Sequence, residues 1–123
     1  MDAMQDQTWR AVAAEADIPP GGMRGFVVEG WPVLIARLAD GPYAILDRCS
    51  HAAARLSEGR LRRNAVSCHM HGALFQVTTG QCVGDHYRPV RAFPARLRDG
   101  WVEIVLPDRP PAPDETPLMG GLG

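Results

Sequence analysis

Short apolar runs separated by clusters of glycine, proline, asparagine and aspartate set the pattern of this chain. Residues 9–13, 25–29, 33–38, 43–46, 65–67 and 73–77 are rich in Val, Ile, Leu, Phe, Tyr and Trp and bounded by turn formers, so each reads as a strand. Residues 91–97 alternate, with Phe93, Ala95 and Leu97 on one side and Arg96 and Arg98 on the other, which is a strand-like pattern. Residues 101–106 close the series. Glu29-Gly30, Asp40-Gly41, Thr79-Gly80 and Asp99-Gly100 supply the reversals. The one helix-like stretch, 13–16, is stopped by Pro19-Pro20-Gly21-Gly22. Many short strands at this spacing predict an all-β fold, an antiparallel sandwich or barrel. From 107 to 123 proline and glycine are dense enough to block both helix and ladder, which predicts a loose tail.

The length of 123 residues fits one domain, expected over 1–106 with the tail after it. No apolar run approaches the ~18 residues of a membrane helix. The acidic start, Met1-Asp2-Ala3-Met4-Gln5-Asp6, lacks an apolar signal region, so a cytoplasmic protein is expected. Cys49, Cys68 and Cys82 make an odd set, which argues against a disulfide framework, and Cys82 is expected to be a small buried hydrophobe. The net charge of −1 hides a segregation. Residues 48–98 hold nine arginines against Glu58 and Asp85, while the flanking stretches are acidic. That distribution reads first as an ordinary solvated surface, and alternatively as a positive face that steers an acidic redox partner. Nucleic-acid binding does not follow from it, because the total charge is not basic and no regular aromatic–basic interleaving appears.

Four residues carry the chemistry. Cys49-Ser50-His51 delivers a thiolate and an imidazole two apart, and Cys68-His69-Met70-His71 delivers another pair three apart. Two occupants suit such a set. One is a 2Fe-2S cluster with the cysteines on one iron and the histidines on the other; the other is a tetrahedral Cys2His2 zinc ion. Zinc modules commonly pair cysteine with cysteine and histidine with histidine, whereas here each loop supplies one of each, which favours the cluster. Each pair follows a strand-like segment. Gly72, directly after His71, lets backbone approach a cluster and open its N–H groups to sulfur. His69 also lies close to Cys68, so His69 and His71 compete for the fourth place.

These motifs resemble those of the Rieske ferredoxins, small electron carriers of bacterial aromatic ring-hydroxylating oxygenase systems. Cys49-Ser50-His51 followed by Leu56-Ser57-Glu58-Gly59 is similar to the family's first cluster loop. Cys68-His69-Met70-His71-Gly72 followed by Thr79-Gly80 is similar to the second, and Pro89-Val90-Arg91-Ala92-Phe93-Pro94 to the covering proline loop. The resemblance implies a Rieske-like sandwich or barrel with a small cluster-binding subdomain of two hairpin loops at about 48–84. It also implies one 2Fe-2S cluster bound by Cys49, His51, Cys68 and His71, with Cys49 and Cys68 on a buried iron and His51 and His71 on an outer one. His69 takes the place where many members have proline. Leu56, Leu74 and Phe75 are expected to shield the cluster or fill the core. The implied role is non-catalytic: a monomeric carrier passing single electrons from an NAD(P)H-dependent reductase to a terminal oxygenase, docking transiently at its histidine-bearing tip. Only His86 follows the cluster motif, so the chain cannot supply an oxygenase's own two-histidine iron site. A nitrite reductase small subunit, a carrier to a cytochrome P450 and a structural zinc domain are the rival readings. Ala54 and Met70 stand where quinol-oxidising relatives carry a disulfide, and Ala73 and Phe75 where they carry hydroxyls that bond the cluster. Fewer hydrogen bonds to sulfur imply a potential near the low end of the Rieske range, roughly −150 mV.

Overall fold

The computed structural model describes residues 8–70 and 72–117. Among them are ten strands: β1 (Trp9–Ala14), β2 (Met23–Val28), β3 (Trp31–Leu38), β4 (Gly41–Leu46), β5 (Arg60–Arg62), β6 (Ala65–Ser67), β7 (Leu74–Gln76), β8 (Ala92–Phe93), β9 (Ala95–Arg98) and β10 (Trp101–Val105). They form three antiparallel sheets, ordered β1-β10-β9, β2-β3-β4-β8 and β5-β6-β7. Helix is limited to single 3-10 turns. No described helix is long and apolar enough to cross a membrane.

β3 is the spine. Its residues from Trp31 to Ala36 are buried without alternation, as expected of a strand covered on both faces. Trp31 meets Phe93 edge-on with ring centroids 5.8 Å apart, a geometry suited to the ring quadrupoles. Two hairpins close on left-handed pairs: Glu29 and Gly30 with φ of 51° and 87°, and Asp99 and Gly100 with 52° and 83°. Such turns match the right-handed twist of their flanking strands.

The alternating stretch 91–97 is not one strand. It divides at Pro94 into β8, paired with β4, and β9, paired with β10. Proline brings no N–H to a ladder, so the chain changes sheets there, and Leu97 ends 42% exposed instead of facing the core. The tail also departs from expectation, because residues 107–117 are docked. The buried Trp31 indole N–H donates to the Arg109 carbonyl at 2.9 Å, and Arg48 Nε donates to the Thr116 carbonyl at 2.9 Å. The Glu115 carboxylate accepts from Arg109 at 2.8 Å, from Arg91 at 3.3 Å and from the Ala112 N–H at 2.9 Å. A proline-rich segment that cannot join a ladder is thus held by side chains.

Candidate metal centre

The two sequence motifs occupy loops with the same backbone wiring. In the first, after β4, the Cys49 N–H donates to the Ala54 carbonyl at 2.8 Å and the Ala53 N–H returns to the Cys49 carbonyl at 2.8 Å. In the second, which joins β6 to β7, the Cys68 N–H donates to the Ala73 carbonyl at 2.8 Å and the Gly72 N–H returns to the Cys68 carbonyl at 2.9 Å. Each loop places a left-handed residue at the same step, Ala53 with φ 58° and Gly72 with φ 76°. The sequence singled out Gly72. It gave no sign of Ala53, whose Cβ makes this conformation unfavourable.

The first loop is braced from below. Asp47 is fully buried, and its carboxylate accepts from the Ser57 N–H and the Ser57 hydroxyl, both at 2.7 Å. Arg55 approaches it at 3.9 Å. A Cβ on Gly25 would come within 2.6 Å of Asp47 Oδ2, so glycine on β2 makes room for the brace. Gly59 plays a similar part, since a Cβ there would meet the Ser67 carbonyl oxygen at 1.7 Å. A third segment packs on the loop: the Ser50 hydroxyl donates to the Arg88 carbonyl at 2.5 Å, and the Tyr87 ring stacks on His51. None of these partners was visible in the sequence, because each depends on a side chain that the fold turns toward the loop.

Cys49 and Cys68 are buried, with 0% and 2% exposure, and His51 is exposed. His71 lies outside the described residues. His69 is exposed, and its Nε2 is 4.0 Å from Glu58 Oε1. Leu56 and Phe75 are fully buried, but Leu74 is 40% exposed and does not fill the core. Cys82 is buried beside Phe75, as expected for a small hydrophobe, in an isolated bridge outside the named strands. Among the described residues no three His, Cys, Asp or Glu side chains gather to hold one ion. A two-iron cluster asks for less, because each iron takes only two protein donors. Buried thiols on matched loops fit the soft interior half of that division, and the exposed His51 imidazole fits one place of its outer half.

Comparison with known proteins agrees with the geometry. A model of the Rieske [2Fe-2S] domain matches residues 8–94. Ferredoxin CarAc of Metapseudomonas resinovorans is 34% identical over 102 residues, spanning 81% of this chain and 95% of the relative. The ferredoxin of carbazole 1,9a-dioxygenase from Nocardioides aromaticivorans superposes with a TM-score of 0.75 at 32% identity, over 82% of this chain and 99% of that one. A ferredoxin chain solved in complex with the oxygenase of carbazole 1,9a-dioxygenase superposes with a TM-score of 0.72 at 34% identity, over 80% of this chain and 94% of that one.

Proposed function

The chain belongs to the Rieske [2Fe-2S] domain family, and from that premise we propose that Cys49 and Cys68 bind the inner iron of its cluster while His51 and His71 bind the outer one. The protein is an electron-transfer component of the kind that serves ring-hydroxylating dioxygenases, and it is not the catalytic oxygenase. When bound, the cluster stores and releases a single electron. The matched burial of the two thiols on identically wired loops is the observation that carries the assignment. His71 is preferred to His69 because it keeps the family spacing, while His69 lies beside Glu58.

The reading extends to partners. An NAD(P)H-dependent reductase supplies the electron and a terminal oxygenase takes it, each docking in turn at the end that carries His51. A ferredoxin solved with its oxygenase supports the second half of that route. Met70, Leu74 and Val83 are 52%, 40% and 42% exposed around the second loop and its exit, a small apolar rim suited to brief contact. Arg48, Arg88, Arg91 and Arg109 line a cleft of ≈ 500 Å³ bordered by Ser50 of the first ligand motif. Within it Glu115 pairs with Arg91 and Arg109 and Asp114 adds a second carboxylate, so four guanidinium groups face two carboxylates and the excess positive charge attracts an acidic partner surface. The carrier works as a monomer in the cytoplasm, with residues 1–106 as the electron-carrying domain and the loops at about 48–84 as its cluster-binding part.

Purification without oxygen, followed by iron and sulfide analysis and absorption and EPR spectra before and after dithionite, tests this reading. A red-brown protein, EPR-silent when oxidised and rhombic with a low average g when reduced, is the expected result. His71→Ala and Cys68→Ser should abolish the signal, while His69→Ala should keep it. A colourless protein with stoichiometric zinc and no sulfide would overturn the assignment.

A further inference from the structure

Tyr87 lies outside both ligand motifs, yet its ring covers one of the proposed ligands. The His51 and Tyr87 ring centroids are 4.2 Å apart and the planes differ by 17°, a close parallel stack. The contact is anchored on the adjoining residues, since the Ser50 hydroxyl donates to the Arg88 carbonyl at 2.5 Å. Two consecutive residues of the first loop are thereby matched to two consecutive residues of this segment. The chain reaches that position through a left-handed turn, Gly84 with φ 84° and Asp85 with φ 56°. A Cβ at Gly84 would come within 2.9 Å of His86 Nε2. His86 in turn meets Tyr87 edge-on at 6.5 Å and 61°. Tyr87 is half-buried, whereas His51 is otherwise exposed.

We propose that Tyr87 is a positioning residue for the outer-iron ligand: its ring fixes the plane of the His51 imidazole and holds the one-electron potential down. The proposal rests on the assignment of His51 as a ligand. Two effects act in the same direction. An aromatic face is electron-rich and favours an electron-poor neighbour, which is the imidazole of the oxidised state. The ring also keeps water from one side of the ligand. Two ferric ions, two sulfides and two thiolates sum to zero charge, and reduction adds one electron, so lost hydration disfavours the reduced state. Reduction changes no bond at Tyr87, which only alters the relative stability of the two oxidation states.

The test is a redox titration of the cluster-loaded protein, with EPR of the reduced form. Tyr87→Phe keeps the face and is expected to match the wild type in potential and g-values. Tyr87→Leu fills the space without a π face. It should lower the oxidised-to-reduced ratio at fixed potential by up to about tenfold, equal to 59 mV upward for one electron, and should change the g-anisotropy. Tyr87→Met is a second non-aromatic variant. If neither non-aromatic variant loads iron while Tyr87→Phe does, Tyr87 is a structural residue and the potential-setting role is overturned. A Tyr87→Leu protein with wild-type potential and spectrum overturns the proposal, as does a Tyr87→Phe shift as large as that of Tyr87→Leu. Wild-type protein lacking iron and sulfide would instead overturn the ligand assignment.

Discussion

Asp47 is a single buried carboxylate two residues before a proposed ligand, and its burial is tolerated because Ser57 satisfies it twice. Truncating it leaves the half-buried Ser57 N–H and hydroxyl without their acceptor. Asp47→Ala should therefore cost roughly 2–3 kcal/mol, measured by chemical denaturation of the cluster-loaded protein. Gly25→Ala should destabilise for a related reason. Its methyl group would enter the space of Asp47 Oδ2 and Ser57 Oγ, both 2.6 Å from the Cβ position, and such overpacking typically costs about 1–3 kcal/mol. A second pair of substitutions tests the matched loops. Gly72→Ala forces a Cβ into φ 76°, at roughly 1–2 kcal/mol. Ala53→Gly relieves the same strain but loosens the unfolded chain by about 0.4–1 kcal/mol, so it should be neutral or slightly stabilising. Equal losses from both would contradict the shared geometry of the loops. The proposed ligands were legible in the sequence because thiol and imidazole spacing is local. Asp47, Ala53 and Tyr87 were not, because their roles depend on φ or on partners that only the fold brings near.

At the scale of elements, strands were legible wherever apolar runs ended at turn residues, as in β2, β3, β4, β6 and β10. The stretch 91–97 misled because alternation reports which side chains share a face and does not say which strand pairs with them; Pro94 divided it between two sheets. The tail misled because its composition excludes ladders without excluding docking. Its anchor is Glu115, whose carboxyl is held at about 2, well below its ordinary 4.5, chiefly by its hydrogen bond to Arg109 and further by the Ala112 N–H and Arg91, against the opposing effect of burial. A depressed carboxyl stabilises the folded state fully above its unfolded value and loses that contribution as pH falls through the folded one. The stability difference between wild type and Glu115→Gln should thus be present at pH 6, of order 1 kcal/mol for an ion pair at the surface. It should shrink as the pH falls below 4.5 and be lost once the pH has passed below about 2, the range set by this carboxyl. Denaturation curves of both proteins across that range would check it. A pH-independent difference would mean that Glu115 holds the tail without help from its charge.

For the whole molecule, the quantity that decides its use is the potential. Two neutral imidazoles in place of thiolates lift a Rieske centre above the plant-type ferredoxins, and hydrogen bonds to sulfur then set its place in the Rieske range. Ala73 and Phe75 carry no hydroxyl, and the side chains at 54 and 70 form no disulfide that would tie the loops together. Tyr87 lies over His51 and acts in the same direction. The missing hydroxyls and the Tyr87 ring both disfavour the extra negative charge of the reduced state, so the midpoint should fall near −150 mV, the low end of the range. At that value the carrier is a competent donor to an oxygenase and a poor oxidant of quinols. Ala73→Ser, which adds a hydroxyl where quinol-oxidising relatives have one, should raise the potential, and adding Phe75→Tyr should raise it further. The second change adds a hydroxyl at a position of 0% exposure, so its effect on stability must be measured alongside. A wild-type midpoint above about +100 mV, in the upper part of the Rieske range, would contradict this account. It would place the controlling hydrogen bonds on the backbone N–H groups of the two loops, leaving the side chains at 73 and 75 a lesser part.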